Sequence, residues 1–589
     1  MLCSFHNQNR DTKGLLVIYF GIGLALIVSF IDQTAVSTAA PEIGTSLNGS
    51  ATISWVGTSF LVGNCAFQLV YGRMSDIFGR KNMLQIAVGL LCLGNLLCSF
   101  AKTPVQLYAF RSISGIGGGG INNLAMIIVS DLVPLKDRGK YQGFISAATS
   151  TGNAIGPFVG GGLASIGQWR WLFRLVSILG LVVIVMDHFI LPLKPVTGDI
   201  KEKIRRVDYI GIFLSAAATV LLLVPISGGG STFAWNSALV IALLVVGAVC
   251  GIVFVVHEIK FTRLPILPMR IFTIRTSAFV MAQSFAIGVN YYGTIFYIPI
   301  FLQYVKSYNA LVAGAFVLVY TFPQALWGIG GGFYIAKTNH YKRVVIAGAA
   351  LWTLALGLQL LWTRTTSIGE VLGMLEIQAI GIGWSLQTTL VAALAATADK
   401  DRAVVTAGRN FFRTLGGAFG LAVANAVYQS RVIQELATIG ALTPTQRTEL
   451  VNSSLGLDAL SPELIIQVRD AYAHALRYVF AFFTAVSGFY FVTSFGIKEI
   501  PFRKDSAALE AEKRATKGDV ERGSEKEDNE EGEGRVQEIA DTDSVHSATE
   551  HDATLVVAPP AIGPDGLALK PTASRLQREG EVPASQHGQ

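Results

Sequence analysis

Two ionisable residues lie inside runs that are otherwise apolar. Asp32 falls in the run 14–37 and Arg111 in the run 105–129. A charge inside a segment long enough to cross a membrane is costly and by default marks an ion path or relay. Asp32 lies about six residues from the end of its helix, roughly 9 Å at helical rise, and Arg111 about six residues into a helix entering from the same side. The two therefore sit at similar depth, where pairing offsets the cost of burial. The pair has two readings. It is a fixed bridge that orients two helices, or a switch in which protonating Asp32 releases Arg111. A third ionisable residue, Glu376, lies in the run 369–395. Its position near a helix end leaves two readings open, a second proton site and a solvated interfacial acid. Asp187 and His188 lie close to the end of the run 171–192 and read as interfacial.

A second stretch concentrates charge between two runs. Gly72, Arg73, Asp76, Gly79, Arg80 and Lys81 follow the pattern G-x-x-x-D-x-x-G-R-K between the runs 53–71 and 83–101. Three cations around one acid, flanked by glycines, predict a tight hairpin loop at a membrane face. A third pattern is Gly152-Asn153-Ala154-Ile155-Gly156-Pro157-Phe158-Val159-Gly160-Gly161. Gly152, Gly156 and Gly160 recur every four residues and form one smooth helix face, while Pro157 removes a backbone donor and bends the helix. Gly115 and Gly117 to Gly120, following Arg111, permit close backbone approach.

The elements that must carry these residues follow from composition. Half of the 589 residues are hydrophobic and 15% are charged, against roughly a quarter charged in soluble chains. Fourteen apolar runs of spanning length occur, from 14–37 to 475–497, and they are continuous, unlike the short alternating segments of a barrel. The expected fold class is all-α integral membrane. Basic residues alternate between connections, with Arg73, Arg80, Lys81, Lys136, Arg138, Lys140, Lys337, Lys342, Arg343, Lys400 and Arg402 on one side. That asymmetry predicts both termini in the cytoplasm. Two glycosylation sequons, Asn48-Gly49-Ser50 and Asn452-Ser453-Ser454, fall on the opposite side.

The chain also repeats. Lys136-Asp137-Arg138 recurs as Lys400-Asp401-Arg402, and Gly152 and Gly156 recur as Gly416 and Gly420, all offset by 264. Two parallel repeats of six helices place a substrate path at their interface. The pair 208–226 and 238–257 has no counterpart and reads as an insertion. The expected division is a cytoplasmic N-terminus (1–13), a first six-helix bundle (14–192), a cytoplasmic loop with two added helices and a connector (193–276), a second six-helix bundle (277–500) and a disordered cytoplasmic tail (501–589). By the offset, Asn290, Tyr291 and Tyr292 correspond to the neighbourhood of Asp32. With Trp384, Gln387, Phe411 and Phe412 they are candidate walls of the path, and each taken alone reads as a packing residue.

Soluble chemistry is not indicated. No P-loop is present, so ATP is not the direct energy source and a proton gradient is the economical one. The five cysteines show no metal spacing, no cofactor is expected, and nothing suggests nucleic-acid binding. The net charge of +6 is accounted for by basic loops facing anionic lipid. The first run is too long for the apolar core of a signal peptide and reads as a span.

Taken together, Asp32 to Pro41, Gly72 to Lys81, Arg111 to Gly120, Gly152 to Gly161, Trp169-Arg170-Trp171, Asp208-Tyr209-Ile210-Gly211 and Phe411 to Gly417 resemble the fourteen-span drug:proton antiporter family of the major facilitator superfamily. Ser114 stands where the R-x-x-Q-G motif of that superfamily has glutamine. The resemblance covers roughly residues 14–500. It implies two rocking six-helix bundles plus an inserted pair, and export of drugs, toxins or secondary metabolites against protons. It also implies proton coupling at Asp32, Arg111 and Glu376, a gating loop at Gly72–Lys81 and an antiporter motif at Gly152–Gly161. Ser130 to Gly143 is similar to a branch that includes vacuolar basic amino acid transporters, which would change membrane and cargo. A nutrient sensor that keeps the fold without transport is a third reading. The expected partners are a small-molecule substrate, protons and the lipid bilayer, and a monomer at the plasma membrane is expected, with the vacuolar membrane as alternative.

Overall fold

The computed structural model describes residues 12–48, 55–133, 138–190, 200–205, 207–229, 233–262, 264–308, 310–398, 401–452 and 460–500. The first half consists of α1 (Thr12–Ser46), α2 (Trp55–Phe78), α3 (Arg80–Ser99), α4 (Pro104–Leu132), α5 (Arg138–Ser165) and α6 (Trp169–Ile190). A short α7 (Ile200–Arg205) precedes the pair α8 (Tyr209–Gly228) and α9 (Ala238–Lys260). A short α10 (Arg270–Thr273) leads into α11 (Arg275–Ile300), α12 (Ala310–Thr338), α13 (Tyr341–Gln359), α14 (Ile368–Ala396) and α15 (Arg402–Thr438). A short α16 (Pro444–Asn452) and α17 (Pro462–Ser494) complete the second half. Each of the fourteen apolar runs thus falls on one long helix. The proposed tail, 501–589, lies outside the described residues, as do Lys136, Asp137 and both sequon serines, Ser50 and Ser454.

Among the described residues, eleven helices are long and apolar enough to cross a membrane. The three other long helices, α2, α5 and α15, are more polar for a structural reason. They form the seam between the halves, α2 against α15 and α5 against α12, where Asn64, Gln68, Gln142, Arg409 and Asn410 are buried against protein, while Ser430 and Gln434 near the end of α15 are exposed. By contrast α9 is apolar on every side and leaves Leu239, Ile241, Val245, Val249 and Ile252 exposed, as a lipid-facing helix would.

Local signals set the helix starts. Thr103 accepts a hydrogen bond from the Gln106 amide, with Pro104 as the first helical residue of α4. Ser367 and Glu370 form a reciprocal capping box at α14. Asp208 and Ser237 cap α8 and α9. Two buried apolar cores result, one running from Ile18 to Val183 in the first half and one dominated by the second half. Leu69 and Met126 of the first half belong to the second core, so the halves are packed together along the seam. The inserted α8 lies across that seam, where Leu223 packs with Val62 and Cys65 of α2 and against Phe411 and Leu415 of α15.

One expectation is corrected. The stretch Gly72–Lys81 is not a loop. Gly72, Arg73 and Asp76 belong to the last turns of α2, and Arg80 and Lys81 open α3. Gly79 alone separates the helices, at φ +94°, a conformation that a residue with a Cβ adopts only under strain. The end of the molecule that carries this corner is called the basic face below.

Candidate functional site

The ion pair expected from depth is present. Arg111 Nη1 donates to both oxygens of Asp32, at 2.7 and 2.9 Å, and both side chains are fully buried. Arg111 Nε donates to the Val56 carbonyl at 3.4 Å, and its guanidinium lies over the Phe60 ring at 4.6 Å. The Asn95 side chain also reaches the Asp32 carboxylate. Four helices, α1 to α4, therefore converge on one ion pair. A fully buried pair of this kind has geometry good enough to offset desolvation only while both partners are charged.

The glycine face of α5 packs on α1, the helix that carries Asp32. A Cβ on Gly152 would lie 2.7 Å from the Ile27 carbonyl oxygen. On Gly156 it would strike the Thr34 hydroxyl, and on Gly160 the Ala35 carbonyl. Gly161 is looser, at 4.0 Å from Thr38 Cβ. Thr38 Oγ1 donates to the Pro157 carbonyl at 3.3 Å. Gly152, Gly156, Pro157 and Gly160 thus form a contact with α1 on both sides of Asp32.

At the basic face, Arg80 pairs with Asp76 at 2.6 Å and with Asp131 of α4 at 3.0 Å. Burial pushes the Asp76 carboxyl above the usual carboxylate range, and the Arg80 and Arg73 guanidiniums pull it back. Arg73 donates from Nε and Nη2 to the Pro265 carbonyl at 2.9 and 2.7 Å. Pro265 lies in the connector before α10, so Arg73 ties the first half to the entry of the second. Gly72 faces α15, where a Cβ would meet Ala407 Cβ at 2.7 Å and the Ala403 carbonyl at 3.1 Å. Lys81 Nζ donates to the His188 carbonyl at 2.6 Å. Asp187, three residues from the end of α6, is buried within the protein, and neither of its carboxylate oxygens has a hydrogen-bond partner among the described residues.

Further hydrogen bonds cross the seam toward the same face. Asn410 Nδ2 of α15 donates to Asn123 Oδ1 of α4 at 3.1 Å, and Gln387 Nε2 of α14 donates to Ser146 Oγ of α5 at 2.5 Å. Nearer mid-depth, Ser150 Oγ donates to the Thr321 carbonyl at 2.9 Å.

The other sequence candidates are scattered. Glu376 does not join Asp32 and Arg111. It is half-buried on α14 and accepts from the Trp327 indole at 2.8 Å. Tyr291 meets Gln324 of α12 at 3.5 Å, while Tyr292 packs on Gly417. Asn290 is fully buried with both amide atoms unpartnered. Trp384 stands edge-on to Trp327 at 6.5 Å and packs against Gly348. Asn48 is exposed at the end of α1, and Asn452 ends α16.

Two residues received no role from the sequence, although Arg413 lies in the stretch Phe411 to Gly417. Arg409 and Arg413 of α15 are buried, and among the described residues no carboxylate pairs with either. The signal was available, since both arginines sit in the run 404–428 and obey the rule that singled out Asp32.

Comparison with known proteins decides the family. The model of the Major Facilitator Superfamily matches residues 22–421. The chain belongs to the major facilitator superfamily. Among similar proteins of this superfamily, Citrate exporter 1 of Yarrowia lipolytica is 37% identical over 567 residues, covering 94% of this chain and 84% of the relative. Efflux pump dotC of Dothistroma septosporum is 30% identical over 487 residues, covering 79% and 84%. A bacterial homologue of the human lysosomal transporter Spinster, solved inward-facing and unoccupied, shares the fold at a TM-score of 0.52 and 16% identity, covering 83% and 98%. The chain is therefore a multi-pass membrane transporter of the superfamily.

Proposed function

We propose that this transporter is a proton-coupled exporter of small molecules, working by alternating access between two six-helix bundles. Asp32, fully buried against Arg111 on the helix that the α5 glycines grip, is the observation that carries the reading. When Asp32 takes a proton, the attraction that holds Arg111 disappears. The α1 contact with α5 can then slide on its small residues while the bundles rock. Glu376 is assigned a secondary proton role at most, since it is half-exposed and paired to an indole. Cargo passes between the bundles beside α11 and α14, near Asn290, Tyr291 and Gln387.

All fourteen long helices are taken as spans, with the basic face and both termini cytoplasmic. On that orientation the hydrogen bonds of Arg73, Asn410 and Gln387 close the cytoplasmic side. The corner Gly72–Lys81 then acts as a cytoplasmic latch remote from cargo. Asn48 and Asn452 face outward as glycosylation sites, and the chain works as a monomer at the plasma membrane. The names of the relatives, an exporter and efflux pumps, support the outward direction.

The test is transport into sealed vesicles with an imposed pH gradient. Asp32→Asn is expected to abolish gradient-driven accumulation while the protein still reaches the membrane. Accumulation at the wild-type rate would refute proton coupling through Asp32.

A further inference from the structure

The second bundle holds positive charge that no carboxylate balances among the described residues. Arg409 is fully buried in α15; it donates to the Leu386 carbonyl, to Thr389 Oγ1 at 3.1 Å and to Asn410 Oδ1 at 3.4 Å, all neutral acceptors. Its Nε has no partner. Arg413, one helical turn further along the same face, is 8% exposed, and its Nε is likewise unpartnered. The two guanidiniums repel each other. Burying a cation without a counter-charge is among the costliest arrangements in a protein, and burying two on one face compounds it. The Arg111 site shows how this chain balances such a charge when the balance is internal, with a bidentate carboxylate.

The surroundings of Arg413 are polar and uncharged. Tyr291 of α11 is an electrostatic neighbour of Arg413 and meets Gln324 of α12 at 3.5 Å. Gln324 Oε1 and both amide atoms of the adjacent Asn290 are buried and unpartnered. α11, α12 and α15 thus bring the Tyr291 phenol, the Gln324 amide and the Arg413 guanidinium together beside the seam, with Asn290 buried one residue before Tyr291 on α11. Guanidinium forks match carboxylates, which accept such bonds with twice the strength of neutral groups.

We infer that Arg413, supported by Arg409, Tyr291 and Gln324, forms a binding site for an organic anion carrying two or more carboxylates. The site rests on the exporter reading above for its role, because it names the cargo class of that transporter. Its existence as a binding site does not depend on that reading. Asp32 and Arg111 form a closed pair in the other bundle and contribute no free charge to it.

The experiment uses full-length protein purified in detergent, with citrate, malate and phthalate as probes and trimethyl citrate as the uncharged control. At least one of the three anions is expected to bind saturably and to raise Tm, and the ester is not. Arg413→Met should weaken that binding roughly ten- to hundredfold, the loss of one charge-assisted contact, and Arg413→Lys should weaken it less. Without ligand, Arg413→Met should unfold at the wild-type temperature or above, because it removes an unbalanced charge. A purely structural arginine would instead lower that temperature. No binding by any of the three anions, or equal binding by a monodisperse Arg413→Met protein, overturns the inference. Anion binding that depends on Arg413, without gradient-driven transport of the bound anion, leaves the site standing and refutes the exporter reading alone.

Discussion

The two bundles treat buried charge in opposite ways. In the first, Arg111 is matched by Asp32 at 2.7 Å and the pair is closed off from water. In the second, Arg409 and Arg413 have no carboxylate among the described residues. The difference teaches a division of labour that a repeated fold would otherwise hide. The charges sit on helices that the repeat does not equate, since the 264-residue offset sets Arg409 and Arg413 of α15 against Ile145 and Thr149 of α5 and Arg111 of α4 against Leu375 of α14; one bundle carries its own counter-ion and the other has none among the described residues. An internal carboxylate can exchange its charge with a proton, which suits coupling. A buried guanidinium held by neutral acceptors attracts an anion, which suits cargo.

The sharpest way to break this comparison is to remove one charge from each bundle. Arg111→Met should cost about 3–5 kcal/mol of stability, because it strands a buried carboxylate. The double variant with Asp32→Asn should recover part of that loss. Arg413→Met should cost nothing or stabilise. Thermal unfolding of the three purified proteins checks the contrast, and equal losses at Arg111 and Arg413 would erase it.

The next effect concerns the α1 contact. Gly156→Val would drive a methyl group into Thr34 and is expected to cost about 1–3 kcal/mol and most of the transport rate. Gly162 has open space at its Cβ position, so Gly162→Val should leave both unchanged. Rates measured for the two variants in proteoliposomes decide whether the four-residue glycine period, and not glycine content, matters.

A smaller effect is expected at the seam. Asn410→Ala removes the hydrogen bond to Asn123 and should favour separation of the bundles at the basic face by about 1 kcal/mol, roughly fivefold in population. Distance distributions between spin labels on α2 and α15 would report it. Asp76→Asn should do least, within about 1 kcal/mol, since Arg80 keeps Asp131 and Arg73 keeps the Pro265 carbonyl. A change of cargo preference in Asp76→Asn would contradict the placement of the latch away from the site.

Much of this was legible in the sequence, and the reasons are physical. Lipid demands long apolar runs, so helix positions follow from hydropathy; α1 to α6, α8, α9, α11 to α15 and α17 each fall on one predicted run. Depth along a helix follows from its rise, which is why Asp32 and Arg111 could be paired before any coordinates. Small residues four apart announce a contact face, although only the structure names α1 as its partner. The corner at Gly79 was harder, because charged residues at the end of α2 look like a loop when only hydropathy is read. Partners separated by long stretches of chain were not legible at all. Arg73 and Pro265 are 192 residues apart, and Asn123 and Asn410 are 287 apart. Nor can a sequence reveal a missing partner: the isolation of Arg413 is a property of its neighbours.

The central claim is that coupling and cargo reside in different bundles. Its most direct test compares two transport modes of a labelled anion in proteoliposomes, accumulation driven by a pH gradient and exchange without one. Asp32→Asn should lose accumulation and keep exchange, while Arg413→Met should lose both. Wild-type accumulation by Asp32→Asn, or exchange untouched by Arg413→Met, would contradict the account.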